Sequence, residues 1–333
     1  MAAKRITEQM FRDAWALSGR SPKAAASLLS VSQRHIYNLR EEMARKYPGE
    51  AWQSETTPGT PSPERAYPAP IDESLPSGLV VVFSDAHYWP GPATVSHRAL
   101  VEVLREVKPA LVIANGDVLD AASLCRQDPS GWEPKPRLRE ELDVMKERLA
   151  EVESAAKGAR LIRTVGNHDM RFERRLATVA SEYRDIEGTR LRDHLPRWRE
   201  TMGVKLNRNT MVKHRYAGGI HASYNNTLRS GWNIVTGHLH RLLVRPWGDY
   251  TGRRYGIECG TLADPEAPAF DYAENNPRDW CEGFVVMRYA GGRLLHPEIC
   301  EVMDGTAWFR GAAVVTGGAS GKDRKPARRA AAA

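Results

Sequence analysis

The chain has 333 residues, a formal net charge of +7, and 41% hydrophobic and 27% charged residues. That length suits one domain of a couple of hundred residues with a small appendage, and no apolar run approaches the roughly 20 residues that a membrane-spanning helix needs. The first residues lack the apolar stretch of a secretory signal, and Cys125, Cys259, Cys281 and Cys300 form no CxxC pair; the composition speaks against a membrane protein, a zinc ribbon and a disulfide scaffold, and fits a cytoplasmic one.

In chain order, residues 1–50 predict three helices. The first carries Met10, Phe11, Ala14 and Leu17 on one face. Ser21 caps a second that opens with Pro22, and a turn at 30–32 leads into a third beginning at Gln33. With Ile36, Leu39 and Met43 turned inward, Gln33, Arg34, Tyr37 and Asn38 face outward, with His35 and Arg40 close by. Side chains of these types contact base edges and phosphates. Residues 51–74 are rich in Pro, Thr and Ser and read as an extended linker. From 75 to 310, apolar strand-like runs at 79–83, 110–114, 161–165, 211–212 and 232–236 alternate with helical patterns such as 100–104 and 140–156. Such alternation is the mark of an α/β layered fold. Residues 193–209 form a candidate lid or substrate wall, with a surface loop packed on its own Leu195, Trp198 and Met202 as the plainer alternative. Residues 311–333 read as a disordered basic tail with almost nothing to bury.

The chemistry is carried by the residues just past each strand. Residues 79–83 are followed by Ser84-Asp85-Ala86-His87, residues 110–114 by Asn115-Gly116-Asp117-Val118-Leu119-Asp120, and residues 161–165 by Gly166-Asn167-His168-Asp169. His214 comes after the fourth run, and Gly237-His238-Leu239-His240 after the fifth. One such ending is usually a turn former or a helix cap. Five in succession, gathered where α/β folds place their functional groups, make a cluster of carboxylates, imidazoles and an amide that repulsion and desolvation oppose unless cations are bound. The absence of thiolates favours borderline divalent ions, and the number of ligands suits two of them. A metal pair of this kind clamps the attacking and departing oxygens of a phosphoryl displacement.

These five motifs resemble those of the calcineurin-like metallophosphoesterases, and among them the phage-type members: DxH, GDxxD, GNH(D/E), a single His, and GHxH. The resemblance spans about 230 residues, 79–304. It implies a four-layer αββα sandwich and the hydrolysis of phosphomono- or phosphodiesters by a metal-bound hydroxide. Asp85, His87 and His240 would hold one ion, Asn167, His214 and His238 the other, and Asp117 would bridge them. Mn²⁺ heads the expected ions, followed by Fe²⁺, Zn²⁺, Ni²⁺ and Mg²⁺. For the fourth motif His221 competes with His214, which is favoured because it directly follows a strand. His168 resembles the family's non-ligating catalytic histidine. Asp169 would orient it and Asp120 would support a ligating histidine, with helix capping the alternative for both. Among nearby basic residues, Arg171 is a candidate phosphate contact. The N-terminal segment resembles a helix-turn-helix of bacterial regulators and phage packaging proteins, so DNA is the expected partner, reached through Gln33, Arg34, Tyr37 and Asn38 in the cytoplasm of a bacterial host. A three-helix protein-docking module is the other reading of that segment. For the whole chain, a DNA-binding or scaffold protein with an inactive phosphoesterase domain is the alternative.

Overall fold

The computed structural model describes residues 6–48, 50, 52, 67–126, 131–132, 135–273 and 278–317. The chain divides into two compact units between Ala66 and Tyr67.

The first unit holds α1 (Glu8–Leu17), α2 (Pro22–Leu29) and α3 (Gln33–Lys46), each opened by a hydroxyl cap: Thr7 accepts the Met10 N–H, Ser21 the Ala24 N–H and Ser32 the His35 N–H. Phe11, Ala14, Trp15, Ala25, Leu29, Ile36 and Met43 are buried together. Leu17, expected on the packed face, is instead 81% exposed. Six helical positions turn it about 240° from Phe11, so Trp15 takes the inward place. On α3, Gln33, Arg34, Tyr37 and Asn38 are exposed.

The second unit opens with β1 (Ile71–Glu73) and β2 (Gly78–Phe83), after which α4 (Val95–Val107), β3 (Leu111–Asn115), α5 (Leu138–Ala155), β4 (Arg160–Thr164) and α6 (Asp169–Val179) alternate. Three short strands come next, β5 (Arg199–Thr201), β6 (Val204–Leu206) and β7 (Thr210–Val212), then α7 (Ala222–Ser230) and β8 (Asn233–Thr236). β9 (Leu242–Asp249) and β10 (Gly252–Cys259) form a hairpin. β11 (Gly283–Ala290), β12 (Arg293–Leu294), β13 (Glu298–Met303), β14 (Thr306–Phe309) and β15 (Ala312–Thr316) complete the unit.

Among the described residues the strands form two sheets. One runs β1-β6-β7-β8-β10-β9, the other β15-β14-β13-β11-β2-β3-β4-β5 with β12 beside β11. Strand alternation builds the layers. Val80 and Val82 of β2 turn toward Val204, Val212, Val235 and Ile257 of the other sheet. Val81 and Phe83 turn the opposite way, onto Leu100 and Leu104 of α4 and Met145 and Leu149 of α5. With α7 on β8 and β10 the order is helix, sheet, sheet, helix.

Two expected boundaries move. β1 lies inside the segment read as linker, 51–74, where it pairs in parallel with β6 from Ile71 opposite Val204. β15 lies inside the segment read as tail, 311–333, and pairs with β14. The remaining residues of that tail, 318–333, and residues 51 and 53–66 of the linker lie outside the described residues. The expected lid at 193–209 is instead sheet-forming: it supplies β5 to one sheet and β6 to the other. Its Trp198 is buried edge-on against Phe83, 6.3 Å between ring centres, and its indole N–H donates to Glu153.

Candidate metal centre

β2, β3 and β4 are mutually parallel, as are β7 and β8, so the chain leaves all five strands toward one edge of the sandwich. The loops there are unusually wound. Asp85, His87, Asp117, His238 and His240 all have left-handed backbone, with φ of 53°, 39°, 53°, 72° and 58°. Each such residue costs on the order of 1–3 kcal/mol and persists only where its surroundings fix it. Here the loops fix one another: Asp85 N–H donates to Gly116 O, His87 N–H to Asp117 O, and Gly237 N–H to His214 O, each at 3.0 Å. Two glycines make the approach possible. A methyl at Gly166 would overlap Asp117, and one at Gly237 would overlap Ser84 and Asp85.

The loops deliver two adjoining groups of ligand-type atoms, beside a third in which His87 meets Asp120 and His168. Asp85, His87 and His240 are buried, and their ligand atoms lie within 4.8 Å of one another. His240 Nε2 stands 3.3 Å and His87 Nε2 3.9 Å from Asp85 Oδ1. Asp120 Oδ1 engages His87 Nδ1 at 2.9 Å, which leaves the buried His87 Nε2 facing inward with no partner among the described residues. The second group is Asp117, His214 and His238. His214 Nδ1 donates to Asn115 O at 2.8 Å, and its Nε2 lies 3.0 Å from Asp117 Oδ2 and 3.2 Å from Asn167 Oδ1. His221 is exposed at the start of α7, outside both groups.

Charge balance in this cluster is abnormal in the way that cation sites are. Burial raises the carboxyls of Asp85 and Asp117, yet the imidazolium of His214, with His240 also acting on Asp85, outweighs it and holds both below the ordinary value. Burial lowers His214, but the charges of Asp117 and Asp85 win and lift it to about 9. His238, lowered to about 4 first by burial and then by His214, stays neutral. A proton on His214 thus balances carboxylates that a divalent ion would balance better. Buried oxygens, inward-facing imidazole nitrogens and outward nitrogens tied to Asp120 or a carbonyl suit such ions.

His168 stands beside His87, 4.6 Å between ring centres, and its surroundings differ from expectation. Its Nδ1 is 2.7 Å from Asp120 Oδ1, the same oxygen that engages His87, and its Nε2 lies 3.2 Å from Arg171 Nη2. Burial lowers this imidazole, but the Asp120 hydrogen bond and the Asp117 charge outweigh it and raise its pKa. Asp169 does not orient His168. As the first residue of α6 it turns away and accepts four backbone N–H groups, from Gly166, Asp117, Val118 and Leu119, at 3.0–3.2 Å, together with Arg163 Nη1 at 3.2 Å. It ties the Asp117 loop to the Gly166 loop. Arg171 is also drawn inward, donating to Asp120 O at 3.0 Å.

The comparison with protein families matches residues 78–255 to the model described as calcineurin-like phosphoesterase. The chain belongs to the calcineurin-like phosphoesterase family. It is 23% identical over 258 residues to the Gene 54 protein of Mycobacterium phage L5, covering 69% of this chain and 95% of that one. It is 25% identical over 259 residues to the Gene 54 protein of Mycobacterium phage D29, with the same coverage. Among solved structures it matches zinc-complexed Vps29 of Entamoeba histolytica at 16% identity and a TM-score of 0.37, covering 71% of this chain and 99% of that one. No helix among the described residues is long and apolar enough to cross a membrane.

The phosphoesterase also uses residues that pattern reading passes over. Arg163 is buried within β4, reaches Asp169 on one side and ion-pairs with Glu200 on the other. Its signal is present in the sequence: an arginine inside an apolar run requires a carboxylate. Glu141 of α5 is likewise buried. Its Oε1 accepts the Ala122 N–H at 3.1 Å, two residues past Asp120, and its Oε2 has no partner among the described residues.

Burial, helped by the charge of Asp120, pushes the Glu141 carboxyl up to about 7 from 4.5. A carboxyl raised by folding stabilises the fold below its unfolded pKa, and that contribution is lost as the pH climbs to about 7. Glu141→Gln is therefore expected to exceed the parent in stability near pH 8, by on the order of 2–3 kcal/mol, and to show no gain near pH 4. Urea unfolding at both pH values measures this, and an equal gain at each would point to packing instead of charge.

Proposed function

We propose that this phosphoesterase hydrolyses phosphate esters, diesters of nucleic acid in particular, with two divalent ions, Mn²⁺ foremost. Asp85, His87 and His240 hold one ion, Asn167, His214 and His238 the other, and Asp117 lies between them. The observation that carries the reading is the pair of ligand groups at one sandwich edge, buried but for His238, in which His87 and His214 each have one ring nitrogen tied back and the other turned inward. Such ions, when bound, supply a nucleophile at neutral pH and neutralise phosphate oxygens.

The chain's own groups complete the chemistry. His168, its pKa raised by Asp120, is placed to carry an Nε2 proton to the departing oxygen once Arg171, which can only donate to that nitrogen, has turned to the phosphate. Arg171, beside that nitrogen, adds positive charge where the leaving group develops a negative one. Phe270 and Trp280 pack edge-on against His240, 5.4 and 4.5 Å between ring centres, and shield that ligand from water. In the N-terminal unit, the exposed Gln33, Arg34, Tyr37 and Asn38 face DNA as a helix-turn-helix.

The test is hydrolysis of an aryl phosphodiester and its monoester by the full chain, stripped with EDTA and then reloaded with Mn²⁺. Activity is expected to vanish on stripping, return with two ions per chain, and favour the diester. A chain that takes up two ions yet cleaves neither these esters nor an oligonucleotide would overturn the reading.

A further inference from the structure

The two sides of the metal centre carry opposite charge. On the His87 side a groove of about 1140 Å³ runs past Tyr88 and Trp89 to the start of α4. Among the described residues its lining includes Asp264, Glu282 and Asp304, with Glu266 paired to Arg278, against Arg98 and Arg148. A polyanion finds little welcome there.

On the His238 side the chain flanking His214 reads Lys213-His214-Arg215-Tyr216. Arg215 and Tyr216 are exposed, Lys213 Nζ sits 5.1 Å from the centre of the Tyr216 ring, and the charge of Arg215 reaches His238. This rim is held firmly. Ala217 and Asn226 exchange two hydrogen bonds, at 3.0 and 3.1 Å, and Arg241, clamped by buried Glu258, donates to Gly219 O at 2.8 Å. Within the first turn of α7, Tyr224 lies 5.0 Å from the guanidinium of Arg245 and 4.9 Å from the Trp247 ring. Arg245 and Trp247 belong to β9, which starts two residues after His240 and is the edge strand of its sheet. Its one acid, Asp249, is taken up by Arg254 and Thr251.

We propose that this rim, from Lys213, Arg215 and Tyr216 to Tyr224 and Arg245, holds the stretch of single-stranded nucleic acid that leads away from the phosphate being cleaved. Cations on a pinned loop and a strand can meet the phosphates of a chain laid along them, and an exposed tyrosine beside a lysine offers a base a stacking face. The acidic groove opposite gives the strand its direction: the charged backbone leaves over the His238 side. The proposal rests on the phosphoesterase reading for what happens at the metals, but not for binding.

The test is fluorescence anisotropy of the full-length, metal-free chain with an oligothymidylate of about ten nucleotides, titrated at several salt concentrations. The double variant Arg215→Ala, Arg245→Ala is expected to bind at least about tenfold more weakly, and the slope of log K against log salt to fall by about 1.4, or 0.7 for each lost phosphate contact. Tyr216→Ala is expected to weaken binding by about fivefold or more with the slope intact, as a lost stack requires. Binding of duplex DNA serves as the control for the N-terminal unit and is expected to be the same in all variants. Variants that bind the single strand as the parent does, or that lose duplex binding to the same degree, overturn the proposal. Aryl ester hydrolysis by the Mn²⁺-loaded parent is read separately, so a dead catalyst that still binds the strand counts against the phosphoesterase reading alone.

Discussion

Asp117→Ala is expected to cost the chain both ions and to lower ester hydrolysis by on the order of 10³–10⁵-fold, because this one residue joins His214, His168 and the His87 loop. Its Oδ2 faces His214 Nε2 at 3.0 Å, its Oδ1 accepts the His168 N–H at 2.8 Å, and its own backbone accepts the His87 N–H. Without it the larger of the two charges that lift His214 is gone, and the second group loses its anionic member. Asp117→Asn keeps the shape and the His168 contact, so it is expected to retain one ion where alanine retains none. Calorimetric titration with Mn²⁺ counts the ions and an aryl diester assay reads turnover. An alanine variant that binds two ions and turns over normally would refute the bridging role.

The second large effect separates proton donation from metal holding. His168→Ala is expected to lower kcat by about 10²–10⁴-fold with metal content unchanged, and to do so most for esters with poor leaving groups, which depend on a donated proton. Asp120→Asn has a double consequence, since one oxygen serves both His168 and His87. It is expected to lower kcat and also to weaken Mn²⁺ binding by about 10–100-fold, the usual effect of losing a partner behind a ligand. A His168→Ala loss that is the same for good and poor leaving groups, or that comes with lost metal, would remove His168 as the acid.

Much of this molecule is legible in its sequence, and the reason is physical. A buried strand is a short apolar run, and an α/β fold puts functional groups where such runs stop, so Asp85, Asp117, Asn167, His214 and His238 can be found by position. What escapes depends on contacts distant in sequence. Asp169 adjoins His168 in the chain, but the turn into α6 points it at the Asp117 loop, while Asp120, 48 residues earlier, arrives beside the imidazole. β1, β5 and β6 have three residues each, too few to show a period, and take their order from partners in other segments. The packed face of α1 excludes Leu17, against the sequence expectation, because a short amphipathic run with few apolar residues can be aligned in two ways.

The left-handed loops bear on which metal the cell would find in this protein. Asp85 and His87 hydrogen-bond through their backbones to the Gly116–Asp117 turn, so the shape of the cradle rests on contacts between loops. Selection among borderline divalent ions falls to their intrinsic affinity order and to whatever the host supplies. The same chain made in a manganese-rich and in a zinc-rich culture is therefore expected to hold different ions in one scaffold, which elemental analysis of the two preparations reads.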